Sequence, residues 1–363
     1  MRVGKHRFVL EQHAQQRLTK RRKLNALTTL YIHFEQTLKA VIMNNVRTPQ
    51  VEKDPAPEFN QRCVSIVRSW QHGDLPFADA VAQMTRLSDE ARRSGHAANE
   101  GRAEHALGFL QHYRGNLNTS IQHYERARSL FRRVNNLDRV GTMDLNQGEN
   151  YRFKGDFMRA LRLYRSAHDL AKSTGNVNLQ TMAAVNEGLV LLAVGDNTSA
   201  LNAFTAALQL TDQWEDRDDP NLPGLLCELY HGVAVVFLRQ QRFRDAWENA
   251  LRALEIASST ELPHQLGYAN RTIGEVITEL GQAPDSGFSN DPDDYFQAAM
   301  KCFQTLNEEA ELARTMYAHA LSMSHRGRRT MAAKKLQQVM IIFTRLGMVD
   351  DIARAAEAQL AVI

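Results

Sequence analysis

A repeat with a period of 40 residues constrains the fold of this chain more than any other feature of its sequence. Residues 141–175 show one unit, which reads as two short amphipathic helices joined by a turn at Gly155. The second helix places small and aromatic residues on one face at helical spacing: Ala160, Tyr164, Ala167 and Ala171. Small residues let helix axes approach closely, but two helices this short cannot bury both stripes alone. The unit therefore needs neighbours of the same kind.

Copies of this unit are visible along the chain. Glycines recur every 40 residues within the first helix and again in the turn: Gly108, Gly148 and Gly188, then Gly115, Gly155 and Gly195. The second helices repeat in step: Ser120, Tyr124 and Ala127, then Ala160, Tyr164 and Ala167, then Ala200, Phe204 and Ala207. Three later copies match more loosely, with turns at Gln241, Gly281 and Gly327. Because the connections are short, the helices of a pair must lie antiparallel.

This arrangement resembles the tetratricopeptide repeat (TPR), in which a small residue, a bulky residue three positions on and a turn glycine precede alanine, aromatic and alanine. The resemblance extends from about Glu58 to the C-terminus. The longer period is similar to that of the C-terminal domain of the maltose-regulon activator, kinesin light chains and the spindle-orientation scaffold. The resemblance implies an all-α fold, a TPR-type right-handed α-solenoid of antiparallel helix pairs.

The chain is predicted to divide into two parts. Residues 1–57 would form a basic N-terminal helix and a Pro-containing linker. Residues 58–363 would form an array of about seven helix pairs, the first degenerate. A C-terminal capping helix over residues 348–363 would follow, with Ile352, Ala355 and Leu360 on its inner stripe. Two insertions lengthen the array: residues 212–223 between two repeats, and residues 282–294 between the two helices of one repeat.

The N-terminal segment is strongly basic. Residues 1–23 hold eight Lys and Arg residues against a single acid, although the net charge of the chain is only +3. The basic residues closest to the predicted helix are Arg17, Lys20, Arg21, Arg22 and Lys23. Between Leu24 and Val41, apolar residues recur at spacings of three and four, which predicts an amphipathic helix. Two interpretations stay open: the helix packs on the array or on a second copy of itself, or its basic end contacts nucleic acid or anionic lipid.

No motif for catalysis or cofactor binding is found. G-x-x-x-x-G-K-[ST], G-x-G-x-x-G, G-x-S-x-G and H-E-x-x-H are all absent from the sequence. His105 and His112 lie seven residues apart on one helix, about 10.5 Å by helix rise, which is too far for one metal ion. The acidic insertions lack the spacing of a calcium loop. We therefore predict a non-enzymatic protein without a metal or cofactor.

The cysteines and the hydropathy of the sequence indicate the cellular compartment of the protein. Cys63, Cys227 and Cys302 lie far apart and predict buried, reduced thiols. No apolar run approaches the ~18 residues of a membrane span. The basic N-terminus lacks the apolar stretch of a signal peptide. These features predict a cytoplasmic protein without a membrane span.

The resemblance to TPR proteins also implies a binding surface, because the first helices of their pairs line a concave groove. Carried over position by position, it assigns these residues to the groove: Arg102, His105, Phe109, His112, Asn146, Glu149, Arg152, Phe153, Asn186, Leu189, Arg239, Arg314 and Tyr317, with Glu228, His231 and Arg271 as further candidates. An amide such as Asn146 or Asn186 can pair with a peptide backbone, or equally with its own neighbours. The arginines suit an acidic ligand or a carboxylate terminus, unless they are simply solvated.

Two function classes follow. The sequence favours a protein-interaction scaffold or adaptor that binds a peptide or partner helix in the concave groove. The alternative is a regulatory adaptor derived from bacterial TPR-containing transcription regulators, whose basic N-terminal segment contacts nucleic acid. Affinity for phosphates falls steeply with salt, whereas groove binding depends on salt much less, so a salt titration separates the two.

Overall fold

In the computed structural model, the described residues are 57–362 except 72, 215–218, 220, 261 and 307. They form fifteen α-helices and no β-strand. The helices are α1 Pro57–Gln71, α2 Phe77–Arg93, α3 Ala97–Tyr113, α4 Leu117–Arg133, α5 Leu137–Phe153, α6 Phe157–Thr174, α7 Val177–Ala193, α8 Asn197–Thr211, α9 Leu222–Arg239, α10 Phe243–Ser259, α11 Pro263–Leu280, α12 Pro292–Thr305, α13 Glu309–His325, α14 Arg329–Leu346 and α15 Val349–Val362. The predicted basic N-terminal helix lies outside the described residues.

Consecutive helices pack against each other as antiparallel pairs, from α1 with α2 to α13 with α14. The second helix of each pair also contacts the first helix of the next pair, so the pairs form one continuous array. α15 follows the last pair and packs against α14 and α13. The predicted all-α array of antiparallel helix pairs is therefore confirmed.

The turns within the pairs lie at the predicted positions. In the three closely matching copies the turn glycines have φ values of 75°, 76° and 86°, the left-handed region that favours glycine. Gln241 occupies the same place in the fourth copy with a φ of 59°. After the turn at Gly155, the backbone N–H of Asp156 donates to the carbonyl of Tyr151 at 2.9 Å. The Asp156 carboxylate then caps α6 by accepting from the N–H of Arg159 at 3.2 Å.

Tyr164 shows how a closely matching pair is packed. Its side chain is fully buried, and a Cβ atom at Gly148 on the facing helix would lie 2.5 Å from its ring. Glycine is needed there because any side chain would collide with the ring. Ala160 and Ala167, beside it on α6, are also fully buried. The apolar stripe read from the sequence is thus the core of the pair.

Phe204 on α8 joins two successive pairs. A Cβ atom at Gly188, on α7 of the same pair, would lie 2.6 Å from its ring. A Cβ atom at Gly232, on α9 of the next pair, would also collide with this ring. The Phe204 side chain is fully buried. One aromatic residue therefore fills the space between the helices of two repeats.

Both insertions lie at the predicted joints. Trp214, in the segment between α8 and α9, is 2% exposed. In the segment between α11 and α12, Phe288 packs edge-on against Trp247 with 5.2 Å between the ring centroids. The indole N–H of Trp247 also donates to the Asp285 carboxylate at 2.6 Å. Each insertion is therefore held to the array by an aromatic contact.

α15 covers part of the last pair. Ala355 and Val362 are buried in clusters with residues of α13 and α14. Leu360, predicted to lie on the inner stripe, is instead 79% exposed. At 100° per residue Leu360 stands about 140° around the helix from Ala355, so it cannot share the buried face. The helix is present as predicted, but its inner stripe runs through Val362.

Among the described helices, α9 is long and apolar enough to cross a membrane, with a mean hydropathy of 1.3 over Leu222–Arg239. The predicted absence of an apolar stretch of this length is therefore corrected. α9 packs against α8, α10 and α11, and Leu229 and Ala234 are fully buried within the array. Seven of its 18 residues are buried within the array.

The cysteines differ in burial. Cys63 and Cys227 are buried, and burial raises the pKa of each thiol to about 12. Cys302 is only partly buried, and burial raises the pKa of its thiol as well. The predicted buried thiols are therefore present at two of the three positions.

Candidate functional site

The first helices of successive pairs lie side by side and are joined by polar contacts. The His105 ring lies 3.1 Å from the Asn146 amide, between α3 and α5. Further along the array, Arg271 on α11 donates to Glu311 on α13 at 3.0 Å. In most neighbouring pairs the first helices contact each other more closely than the second helices do. The first helices therefore line the concave surface of the array.

Three of the predicted groove residues are largely buried within this wall. Arg102 is 8% exposed, His105 3% and Phe109 8%. Burial and, to a smaller extent, the nearby Arg139 charge together lower the pKa of His105 to about 3, so the imidazole is neutral. These side chains support the wall and leave little surface for a ligand.

The two asparagines differ. The Asn146 amide donates toward His105, which leaves its side-chain oxygen for another partner. Asn186 is half-buried and makes no side-chain hydrogen bond within the described part of the chain. Asn146 thus follows the interpretation in which the amide bonds a neighbouring side chain. Asn186 keeps both the donor and the acceptor of its amide available.

The arginines of the predicted cationic lining already have partners. Arg152 donates to Glu149 through two nitrogens, one at 3.0 Å, and Arg314 donates to Glu311 at 2.7 Å. Arg239 donates to the carbonyl of Leu192 at 2.6 Å. The wall therefore carries a mixture of ion pairs and neutral groups, not a free row of cations.

The remaining predicted groove residues are more accessible or make polar contacts. Phe153 is 59% exposed, and the Arg152 guanidinium lies 4.8 Å from the centre of its ring. His112 Nδ1 lies 2.7 Å from Asn150 Oδ1. Leu189 is half-buried, and the Tyr317 hydroxyl lies 3.5 Å from the Arg354 carbonyl. Phe153 is thus the most open apolar side chain of the predicted set.

One stretch of the concave surface brings distant repeats together. The negative charge of Glu149, and also that of Glu308, helps to raise the pKa of Tyr113 to about 12, after the effect of burial. Burial and the negative charge of Glu311 raise the pKa of Tyr268 well above its ordinary value, and the charges of Arg271 and Arg152 oppose this rise only in part. These groups belong to α3, α5, α11 and the N-cap of α13, so charges from separate repeats act on one another along the concave surface. We call this set the central cluster: Tyr113, Glu149, Arg152, Glu228, His264, Tyr268 and Glu308.

The carboxyl groups of the central cluster have different ionisation. Burial raises the pKa of Glu149, but the charge and hydrogen bonds of Arg152 and a bond from the Tyr164 hydroxyl at 2.9 Å outweigh it, and the net pKa is lowered. Burial also raises the pKa of Glu228, where the Glu149 charge adds to the shift and His264 only partly opposes it. Of these two carboxyl groups, Glu149 is thus firmly ionised and Glu228 is easily protonated.

His264 is a further charged group of the central cluster. Burial lowers its pKa, but a hydrogen bond and the negative charge of Glu308 outweigh that effect, so the net pKa is raised. Its Nδ1 lies 2.7 Å from a Glu308 oxygen. The imidazole is thus held as an imidazolium paired with Glu308 more readily than a free histidine would be.

Four members of the cluster were not among the predicted residues, and the repeat could have revealed two of them, Tyr268 and Tyr113. Tyr268 stands six residues before Gly274. In other copies, the same position of the repeat is occupied by Arg102, Glu228 and Arg314. Tyr113 stands five residues after the small glycine of its helix, as Phe153 does. His264 and Glu308 lie near helix starts, where the repeat is weakest, and no sequence signal pairs them.

Other kinds of site find little support. Within the described ranges, no group of three His, Cys, Asp or Glu side chains could hold a metal ion. The basic segment Arg17, Lys20, Arg21, Arg22 and Lys23 lies outside these ranges. Its contact with nucleic acid therefore stays a prediction, and no comparison with known proteins supports it.

The tetratricopeptide repeat family model matches residues 99–173. The sequence thus matches the tetratricopeptide repeat over these residues, and the array as a whole has the fold of a TPR-type helical solenoid. No curated protein matches the sequence at a significant level. Among solved structures, the apo form of RapI superimposes with a TM-score of 0.62 at 12% identity, over 80% of this chain and 99% of RapI.

Two further solved structures share the TPR fold. Aspartyl phosphate phosphatase F from Bacillus subtilis has a TM-score of 0.51 at 11% identity, over 92% of each chain. The Rap conjugation gene regulator of plasmid pLS20, in complex with the Phr* peptide, has a TM-score of 0.50 at 14% identity, over 75% of this chain and 77% of the regulator. At these identities the similarity establishes the fold alone.

Proposed function

We propose that this TPR protein is a non-enzymatic regulatory adaptor that binds a peptide, extended or helical, against its concave surface. The observation that carries the proposal is the central cluster, where side chains from four first helices and a helix cap face one groove. Surface residues that serve only solubility do not converge in this way. Concave sites with a few converging polar groups are where proteins hold ligands.

The groups around the cluster suit a peptide. The free amide of Asn186 can donate to and accept from a peptide backbone whatever its sequence. Phe153 and Tyr113, which are 59% and 47% exposed, offer aromatic surface to apolar side chains. A protein of the same fold is known in complex with the Phr* peptide, which shows that such an array can accommodate one.

The proposal of a non-enzymatic role rests on the site and not on the fold. One protein of this fold is named as an aspartyl phosphate phosphatase, so the fold does not decide the matter. In the central cluster, Glu149 and Glu308 are engaged in ion pairs, and the Tyr268 pKa is raised well above its ordinary value. These groups are suited to binding rather than to nucleophilic attack.

Selection from a displayed library of random twelve-residue peptides tests the proposal. The full chain should enrich specific peptides, and a selected peptide should bind more weakly to N186A and F153A. Met158→Ala is the matched control, because Met158 is 66% exposed on α6, a second helix, away from the concave wall. Equal binding to all three variants, or no enrichment by the full chain, would contradict the proposal.

A further inference from the structure

The charged groups of the central cluster are paired, with one exception among the described residues. Glu149 accepts hydrogen bonds from Arg152, and Glu308 lies 2.7 Å from His264. Glu228 on α9 forms no ion pair within the described part of the chain. Its hydrogen-bonding neighbour is the neutral side chain of Gln265. One half-buried carboxyl group in the groove is thus left without a cation.

This carboxyl group is in an unfavourable position by itself. Partial burial removes water that would stabilise the carboxylate, and the charge of Glu149 repels it. The charges of His264 and Arg152 oppose these effects only in part. A hydrophobic residue would be better suited to that place if stability were all that mattered. Ionisable groups in such surroundings are more common at functional sites than elsewhere.

The cations nearby cannot neutralise Glu228 without leaving another acid. The Arg152 guanidinium donates to Glu149, and the His264 ring lies 2.7 Å from Glu308. Further along the groove, Arg271 and Arg314 both donate to Glu311. The same pairs leave few free donors for an anionic ligand. Charge complementarity in this part of the groove therefore favours a ligand that brings a positive charge.

We infer that the peptide held by this array carries a positively charged group, a Lys or Arg side chain or a free amino terminus, which forms an ion pair with Glu228. This inference rests on the proposed function and specifies the chemistry of its ligand. It replaces the acidic ligand predicted from the arginines, because those arginines are engaged with partners of their own.

Protonation of Glu228 gives the pairing a pH dependence. The cation binds the ionised carboxylate, and the pKa of that carboxyl is raised before the ligand arrives. Affinity should therefore fall as the pH drops through the raised pKa. His264 faces the same groove and gains positive charge in acid. That charge repels a cationic ligand, so it also lowers the affinity as the pH falls. The pH dependence of the wild type must therefore be compared with that of a variant that lacks only the Glu228 charge.

The experiment uses the full chain and the displayed random twelve-residue library. Peptides enriched by the wild type should be rich in Lys and Arg, and E228Q should lose that preference. A selected peptide made synthetically should bind E228Q roughly tenfold or more weakly, as expected for a lost charge-assisted hydrogen bond. E125Q is the matched control, because Glu125 makes the same charge change at an exposed position on α4.

The outcomes separate the inference from the proposed function. Peptides enriched without basic residues, or bound equally by E228Q and wild type, would overturn the inference and leave peptide binding intact. No enrichment by the wild type would overturn the proposed function itself. If E228Q fails to fold, a synthetic peptide with an acetylated amino terminus and with each Lys and Arg replaced by Gln makes the same test on the wild-type protein. Affinity that survives the removal of every positive charge from the peptide would refute the ion pair.

Discussion

The early copies of the repeat, α3–α8, and the late copies, α9–α14, build the same helix pair with different distributions of side-chain volume. In an early pair, Gly148 on the first helix faces the large ring of Tyr164 on the second. In a late pair, Ala234 replaces the glycine and packs in one buried cluster with Ala250 and Trp247. The spacing of the two helices and the volume filled between them are kept, while the large residue moves to another position of the repeat. The sequence match therefore weakens toward the C-terminus although the fold does not.

The concave walls of the two regions differ as well. The early wall has the exposed Phe153 and the amide of Asn186. In the late wall, Glu311 accepts from both Arg271 and Arg314, at 3.0 and 2.7 Å. The early wall thus keeps an aromatic ring and an amide accessible, whereas in this part of the late wall two arginines are both engaged with one glutamate.

The largest effect is expected where the two regions meet. Phe204→Ala removes a buried ring that packs on Gly188 of the early region and on Gly232 of the late region. The free energy of unfolding should fall by about 3–5 kcal/mol, as for other buried Phe-to-Ala changes. Urea denaturation measures it, with the exposed Met158→Ala as control. Similar midpoints for the two variants would mean that the regions do not share this ring.

Acid should weaken the late wall. Burial raises the pKa of Glu311, but Arg271 and Arg314 outweigh it and lower the pKa to about 2, from 4.5 in the unfolded chain. Its stabilisation is therefore complete above pH 4.5 and is lost as the pH falls toward 2. The amount is on the order of 3 kcal/mol. Unfolding free energies between pH 2 and 5 should show a smaller loss for E311Q than for wild type, and equal slopes would refute this.

The packing difference itself can be tested by exchanging the small residues. Gly148→Ala places a methyl group against Tyr164 and should destabilise the protein by about 1–3 kcal/mol. Ala234→Gly in the late region removes a methyl group instead, and lower helix propensity alone accounts for about 1 kcal/mol. Thermal unfolding of both variants provides the comparison. If Gly148→Ala had no effect, the assigned contact with the ring would be incorrect.

The smallest effect is expected at the turns. Gln241 adopts a left-handed φ of 59°, for which the early copies use glycine. Gln241→Gly should relieve this strain and stabilise the protein by up to about 1 kcal/mol. The reverse change, Gly155→Gln, should destabilise it by a similar amount. A loss of stability in Gln241→Gly, measured by thermal unfolding, would show that the glutamine side chain matters more than the backbone.

Much of the fold could be predicted because helix pairs depend on contacts within one repeat. The spacing located the turn at Gln241 even though no glycine marks it, and it placed Ala160 and Tyr164 in the core. The face assigned to Leu360 was wrong, because the apolar residues of so short a helix are compatible with two adjacent stripes along it. A period identifies the buried face well only when several turns repeat it.

The site was less accessible to sequence reasoning. Arg152 and Glu149 lie three residues apart on one helix, so their pairing is predictable. His264 with Glu308, and Arg314 with Asp351, join different repeats. Those contacts depend on how each pair is rotated relative to the next, which no local pattern encodes. The net charge of the wall, on which the charge proposed for its ligand rests, follows from those pairings.

Phe204 also bears on how this chain can change over evolutionary time. Repeat arrays gain and lose units by duplication and deletion, and a unit is easiest to exchange where it shares no side chain with its neighbour. Because the Phe204 ring lies against glycines of two repeats, a crossover between α8 and α9 would leave a void on one side and an exposed ring on the other. The third and fourth copies should therefore be inherited as a single block.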